Sequence, residues 1–294
     1  MEEALRTKNR RVTIPYWDST LDFRMKDPRE SILWTEMFLG NGIGIVNSGP
    51  FALWRTPSNN TYLRRQLAGT ESSLVDPDKL WNVFTKKYHR EILPPTATKL
   101  EDNLEEHHNG VHRWVGGLDG HMAGLDTSAM DPVFFLHHCY IDYLWEKFRT
   151  RQKRLRINSE TDYPAGTQAN QQPYRIMDNL YPPKKSIEGY SNSFTKYIYR
   201  YADAPTCRNG CGRGYNGFLF CNRKTNKCES RSRRGFYNMG GFGNKDVKFY
   251  RNKVSESRSS FMPALSLRIN NVNSAPTMER QFAVGLVDSR TTNK

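Results

Sequence analysis

Six of the seven histidines of this 294-residue chain lie in one stretch, between positions 100 and 149. His108 and His112 stand four positions apart in the sequence HNGVH, so on a helix their imidazoles would share one face, one turn apart. His137 and His138 lie in a second helical pattern further along. Two helices that cross face to face would bring three imidazoles to one point. Three neutral imidazoles with an open fourth position are a ligand set for copper or zinc.

Helix start and stop residues indicate the elements that must position these imidazoles. Gly116 and Gly117 follow the first two histidines and are expected to end that helix. Asp131 is expected to cap the second helix, and Pro132 fits its first helical position, where a missing N–H costs nothing. The histidines are therefore predicted to lie on two helices of a packed core.

The rest of the chain is less regular. Helical spacing is also present at Thr61–Leu67 and Pro77–Tyr88, while residues 20–60 are punctuated by glycine and proline and indicate a loop-rich excursion. After about residue 150 the chain becomes polar, with scattered helix and strand patterns. We expect an α-helical bundle core followed by a short β piece.

The histidine stretch resembles a known family. HNGVHRWVGG and DPVFFLHHCYIDYLWEKF are similar to the second-copper half of tyrosinases and catechol oxidases, the type 3 copper proteins. IPYWDS at 14–19 and GNGIGIVNSGPFALW at 40–54 extend the resemblance over roughly residues 1–200, and the C-terminal cysteine cluster is mollusc-like. The resemblance implies a mainly α fold: a partial tyrosinase-type helical bundle core with loop-rich excursions and a small, disulfide-rich basic C-terminal region.

The same resemblance implies roles for individual residues. It makes His108, His112 and His138 the copper ligands, because the family motif uses the second histidine of the adjacent pair. His137 would then lie behind the ligands. Asp142, four positions after His138, could accept a hydrogen bond from a ligand imidazole and fix its orientation.

Two further residues are expected to act on substrate. In the family, the asparagine after the first ligand and a glutamate hold a water that deprotonates the incoming phenol; here these are Asn109 and Glu101, with Glu105 as a competing candidate. His121 could line the substrate entrance, although an ordinary loop histidine is the simpler interpretation.

Cys139 is expected to be a buried small apolar residue.

The family's copper centre contains two copper ions, each bound by three histidines. The first set precedes the PYWD motif in the family, whereas this chain has no histidine before His89. We therefore expect the chain to lack the first-copper half and to bind at most one copper. The opening MEEALRTKNR contains no signal peptide, so an N-terminally truncated form of a secreted protein is the interpretation that the sequence favours.

Cysteines and charge set the C-terminal part apart. Cys207, Cys211, Cys221 and Cys228 predict two disulfides with three possible pairings, and a zinc site is the rival interpretation. Of the net charge of +14, the stretch from Cys207 to Lys294 carries +12, with 17 Lys and Arg against 5 Asp and Glu. The predicted division is a copper-binding domain at 1–200, a disulfide module at 201–230 and a basic, largely disordered tail at 231–294.

Three functions remain open from the sequence. The first is a tyrosinase-like phenol oxidase that uses O2 to oxidise monophenols and o-diphenols, either small molecules or tyrosine side chains, to o-quinones. The second is a non-enzymatic extracellular or shell-matrix protein whose basic tail binds acidic matrix polymers. The third is a haemocyanin-like oxygen carrier. No membrane span is expected, because the chain has no long apolar run, and no nucleic-acid partner is predicted.

Copper stoichiometry tests the expected ligand set. Refolded protein should bind about one copper ion per chain, and the His112→Ala variant should bind almost none, because the sequence supplies a single triad. Metal content is measured by mass spectrometry. A parent stoichiometry near two would contradict the prediction that the first-copper half is missing.

Overall fold

The computed structural model describes residues 1–57, 61–164, 172–178, 180–211 and 218–238. Two long helices dominate it. The α-helices are α1 (Glu2–Arg6), α2 (Thr20–Phe23), α3 (Pro77–Thr85), α4 (Leu104–Gly116), α5 (Val133–Arg154) and α6 (Arg233–Asn238). The strands are β1 (Ile43–Ile45), β2 (Arg64–Gln66), β3 (Leu219–Asn222) and β4 (Lys227–Ser230). Within these described residues, no helix has the length and apolar character needed to cross a membrane.

The histidine-bearing helices begin and end where their sequence indicates. Asn103 caps α4 by accepting a hydrogen bond from the Glu105 N–H, and Gly117 ends it at a φ of +55°. At the start of α5 the Asp131 carboxylate accepts from the Val133 N–H at 3.1 Å, and Pro132 has helical φ and ψ. The predicted end of α4 and the predicted start of α5 are therefore confirmed.

Between these helices run short 3-10 turns that include His121–Ala123 and Ser128–Met130. The helix predicted over Pro77–Tyr88 is present as α3 but ends at Thr85, and a separate 3-10 turn, His89–Glu91, follows it. These turns pack loops closely against the helix pair.

The prediction of a helix over Thr61–Leu67 is wrong, because this segment contains strand β2. β2 pairs antiparallel with β1, Ile43 opposite Gln66 and Ile45 opposite Arg64. Burial alternates along it: Leu63, Arg65 and Leu67 are buried and the residues between them are not. Leu63 and Leu67 also fit a helical repeat of four, so their spacing alone did not discriminate the two structures.

Three tryptophans lie in the hydrophobic core that α4 and α5 share with the rest of the chain. Trp17, Trp34 and Trp114 are buried with ring centroids 5.5 to 6.4 Å apart. Trp17 also bonds to α5 through its backbone N–H and the Leu136 carbonyl at 2.9 Å. Such contacts hold the PYWD segment against the helix pair.

The cysteine-rich segment forms a small hairpin fastened to the core. Disulfides join Cys207 to Cys221 and Cys211 to Cys228, and strands β3 and β4 pair antiparallel around them. This structure favours the disulfide interpretation over zinc. Phe38 and Phe218 pack edge to face at 5.2 Å across the junction. Arg233, in α6, donates two hydrogen bonds to the Glu30 carboxylate, at 2.9 and 2.6 Å.

The predicted domain limits at 200 and 230 stay predictions. The tail beyond Asn238 lies outside the described residues. Cys139 is buried and unpaired, as expected, and burial raises the pKa of its thiol to about 12.

Thiol counting tests this arrangement. Under denaturing, non-reducing conditions one thiol per chain should react, because four of the five cysteines are in disulfides and Cys139 is not. Cys139→Ala should then leave no titratable thiol. Three or more reactive thiols in secreted protein would contradict the disulfide assignment.

Candidate metal centre

Helices α4 and α5 cross where their histidines meet. The Nε2 atom of His138 lies 3.3 Å from that of His108 and 3.1 Å from that of His112. A tetrahedral metal with bonds of about 2.0 Å to each nitrogen separates its ligand atoms by about 3.3 Å. The three imidazoles therefore have the spacing of ligands to one ion.

Backbone and amide oxygens fix the tautomers of two of these imidazoles. Nδ1 of His108 lies 2.9 Å from the Asn109 side-chain oxygen, and Nδ1 of His112 lies 2.8 Å from the Met122 carbonyl oxygen. Because these oxygens accept, each Nδ1 carries the hydrogen and each Nε2 is left with a lone pair. His138 has at most one hydrogen to share with two lone pairs. A cation at this point satisfies all three nitrogens.

Burial keeps the imidazoles neutral. Desolvation is the main cause of the lowered pKa of His108, to about 3, and of His138, to about 2; neighbouring imidazoles lower both further. The pKa of His112 is also lowered, mainly by desolvation, although its bond to Met122 acts in the opposite direction. Neutral imidazole is the form that binds a metal ion, so the centre is ready to bind at physiological pH.

His137 also lies close to His108 and His112, so its position bears on which histidine completes the ligand set. It is fully buried, its ring stacks on that of His108 at 5.2 Å, and its Nε2 lies 3.2 Å from the His108 carbonyl oxygen. One of its nitrogens lies within 4.8 Å of nitrogens of His108 and His112. Its Nε2 is nevertheless engaged by a backbone oxygen, whereas Nε2 of His138 faces both other rings. This contrast favours His138 as the third ligand.

The structure gives Asp142 partners other than the predicted ligand imidazole. Its carboxylate accepts from the Tyr201 hydroxyl at 2.6 Å and also from Tyr199, and burial raises its pKa. The Nδ1 atoms of His108 and His112 contact Asn109 and the Met122 carbonyl, and the orienting role of Asp142 stays a prediction. Sequence reasoning missed Met122 because a main-chain oxygen has no residue-type signature.

The two candidate glutamates lie in different environments. The Glu101 side chain is exposed, and its backbone carbonyl accepts from His107 Nε2 at 3.0 Å. Glu105 is half-buried on α4, three residues before His108 and seven before His112, so it shares their helix face. The catalytic roles of Glu101 and Asn109 stay predictions.

The other histidines are engaged elsewhere. His89 is fully buried, with Nδ1 2.7 Å from the Asp162 carbonyl oxygen, and Nδ1 of His121 accepts from the Arg64 N–H at 3.1 Å. All seven histidines lie within the described residues. Three of them, His108, His112 and His138, converge on one point. Three neutral nitrogen donors suit copper or zinc, and the donor set alone does not choose between them.

A pair of crossing helices that presents a buried histidine triad defines a candidate metal-binding site. A profile described as "Common central domain of tyrosinase" matches residues 1–151. The chain belongs to the tyrosinase family.

Individual proteins show the extent of the similarity. The chain is 32% identical to the tyrosinase-like protein tyr-3 of Caenorhabditis elegans, over 76% of this chain and 33% of that protein. It is 33% identical to a tyrosinase-like protein of Pinctada maxima, over 78% of this chain and 53% of that protein. A functional unit of octopus haemocyanin has a similar structure, with a TM-score of 0.43 and 23% identity over 61% of this chain and 40% of that one. The chain thus spans about a third to a half of the relatives' length.

Acid should destabilise the metal-free protein through these imidazoles. In the unfolded chain a histidine titrates near pH 6.5, whereas the folded state holds His108 and His138 neutral down to about pH 3 and 2. Their stabilising contribution is present above pH 6.5 and is lost as the pH falls, since only the unfolded chain gains protons. From pH 7.5 to 5 the free energy of unfolding should drop by up to about 2 kcal/mol for each such imidazole.

Urea unfolding with a metal chelator present measures this drop. His138→Gln removes one titrating group, so its unfolding free energy should depend less steeply on pH than the parent's. Equal pH dependence in the two proteins would show that His138 is not held neutral.

Proposed function

We propose that the chain binds one copper ion through His108, His112 and His138 and forms the second-copper half of a tyrosinase-type phenol oxidase. The substrates are monophenols and o-diphenols, as small molecules or tyrosine side chains, with O2 as oxidant and o-quinones as products. The observation that supports this best is the convergence of three Nε2 atoms, two with their tautomers fixed, within a tyrosinase-family domain.

Copper, when bound, supplies the redox chemistry with O2. The chain's own residues orient the ligands and the substrate. The Phe134 ring lies 4.0 Å from the His138 ring, centroid to centroid, and gives the site an apolar wall on which a phenol can stack. Asn109 and a glutamate hold the water that accepts the phenol proton, so that the substrate binds as phenolate.

The full reaction requires a second triad. Within the described chain, the histidines that lie close enough together to hold a metal ion are grouped around His108 and His112, and the others are not gathered at a second point. Phenol oxidation is therefore a property we assign to a centre completed by three further histidines. The presence of one triad also favours a second candidate, a copper-binding protein of the extracellular matrix that does not turn over phenols.

The disulfides and the basic residues bear on where the protein acts and what it binds. Two disulfides suit an oxidising compartment, which supports secretion. The basic residues after 230 are proposed to bind acidic matrix polymers, and they lie largely outside the described residues.

Activity separates the two candidates. The copper-loaded 294-residue chain should show negligible catechol oxidation. Joining to Met1 the segment of a tyrosinase relative that carries its three first-copper histidines should create it. Single replacement of His108, His112 or His138 by Ala in that chimera should abolish turnover, because each supplies one of three ligands.

Oxygen uptake with catechol measures this activity. A His89→Gln chimera is the matched control and should retain turnover, because His89 bonds to the Asp162 carbonyl oxygen outside the triad. An inactive chimera with full copper content would favour the non-enzymatic function. Rapid oxidation by the short chain alone would refute the need for a second triad.

Two variants in the chimera identify the glutamate. Loss of the carboxylate that takes the phenol proton should lower monophenol kcat by roughly 10²-fold or more. The helix face favours Glu105→Gln for that loss, with Glu101→Gln near the parent rate. The opposite result would establish Glu101, the residue chosen from the sequence.

A further inference from the structure

Strand β2 contacts all three segments that hold the histidine triad. Its residues Arg64, Arg65 and Gln66 are consecutive, and each bonds to a different segment through a different group. The segments are the start of α5, the 3-10 turn His121–Ala123 and the chain that leaves α4.

Arg65 fixes the start of α5. Its guanidinium donates two hydrogen bonds to the Asp131 carboxylate, at 2.7 and 2.8 Å, and both side chains are completely buried. A third bond, of 2.6 Å, goes to the Leu39 carbonyl. The same Asp131 carboxylate caps α5 through the Val133 N–H, about two turns before His138. The direction of α5 at its first turn therefore depends on Arg65.

Arg64 fixes the turn that orients His112. Its backbone N–H donates to Nδ1 of His121 at 3.1 Å. His121 begins the 3-10 turn that contains Met122, a fully buried residue whose carbonyl accepts from His112 Nδ1. Strand β2 is thus one residue removed from the oxygen that sets the His112 tautomer.

Gln66 fixes the end of α4. Its side-chain oxygen accepts from the backbone N–H groups of Leu118 and Asp119, at 2.9 and 3.3 Å. A Cβ on Gly117 would lie 2.6 Å from that oxygen, so the glycine there permits the close approach. The carboxyl end of the helix that carries His108 and His112 is held by the same strand.

We propose that β2 is the positioning strand of the metal centre and that Arg65 is its main positioning residue, setting His138 against the two histidines of α4. This inference rests on the proposed metal site. A purely stabilising buried ion pair is the rival explanation, because any buried arginine that loses its partner destabilises a fold.

Arg149 provides a matched control. It is another buried arginine, its side chain is 2% exposed, and it pairs with Glu146 at 2.6 Å on the same helix α5. It bonds to Asn192 at 2.9 Å and to the Tyr190 carbonyl, in the second half of α5 and away from the triad. Arg65→Lys and Arg149→Lys each keep the charge and lose the planar guanidinium with its several N–H donors.

Metal binding to the full chain is compared under conditions where urea unfolding shows each variant fully folded. Arg65→Lys should weaken Cu²⁺ binding by about 10-fold or more, the scale found when ligand-orienting partners are lost, and should change the Cu²⁺ electron paramagnetic resonance spectrum. Arg149→Lys should bind within about twofold of the parent with an unchanged spectrum. Equal losses in the two variants, or no loss in Arg65→Lys, would overturn the proposal.

Histidine NMR of the metal-free protein tests positioning without any metal. Arg65→Lys should shift the imidazole nitrogen signals of His138 and His112, and Arg149→Lys should leave them in place. If the parent fails to bind Cu²⁺, the proposed metal site is wrong, while these signals still decide the role of Arg65.

Gln66→Leu is a second variant in case Arg65→Lys does not fold, since Gln66 is only half-buried. It should also weaken Cu²⁺ binding, because it frees the end of α4. Unchanged Cu²⁺ binding and unchanged imidazole signals in Gln66→Leu would show that β2 does not position the metal centre.

Discussion

A buried imidazole must be neutral and must find an acceptor for its one N–H, and the centre depends on this constraint. Where Asn109 and the Met122 carbonyl accept from Nδ1, the lone pairs of His108 and His112 have only one direction to face. His138 meets them there from the other helix. Desolvation and hydrogen bonding therefore produce a ligand set before any metal arrives, and the lowered pKa values are a consequence of the same burial.

Holding two helices at this crossing requires contacts outside it. The buried pair of Arg65 and Asp131 is the strongest of them, since removal of one partner from such a pair costs about 3–5 kcal/mol. The PYWD segment contributes Trp17, which packs against the other two core tryptophans and bonds to α5. Arg233, which follows the disulfide hairpin, bonds to Glu30 and so fastens this part of the chain to the core. This architecture is consistent with membership of the tyrosinase family. Whether the protein oxidises phenols depends on whether a second histidine triad completes the centre.

Local sequence determined the parts of the protein whose interactions are local. The four-residue spacing of His108 and His112, the Asp131 cap and the glycines after Val115 all act within one or two helical turns, so their outcome could be predicted. The cysteine spacing indicated disulfides for a similar reason, although it left the pairing open. The choice of His138 over its neighbour required the family motif.

Only the tertiary structure decided the interactions between distant segments. An arginine such as Arg65 is expected at the surface, and its partner Asp131 lies 66 positions away. Because Arg65 is buried, burial along this segment alternates as in a strand and does not repeat as in a helix. Asp142 was expected beside a ligand but faces Tyr201, which the chain brings back 59 residues later. The acceptor for His112 is a main-chain oxygen, which every residue possesses. Residue types show which groups can bond, whereas the choice among equivalent partners follows from packing, because burial penalises every polar group left without one.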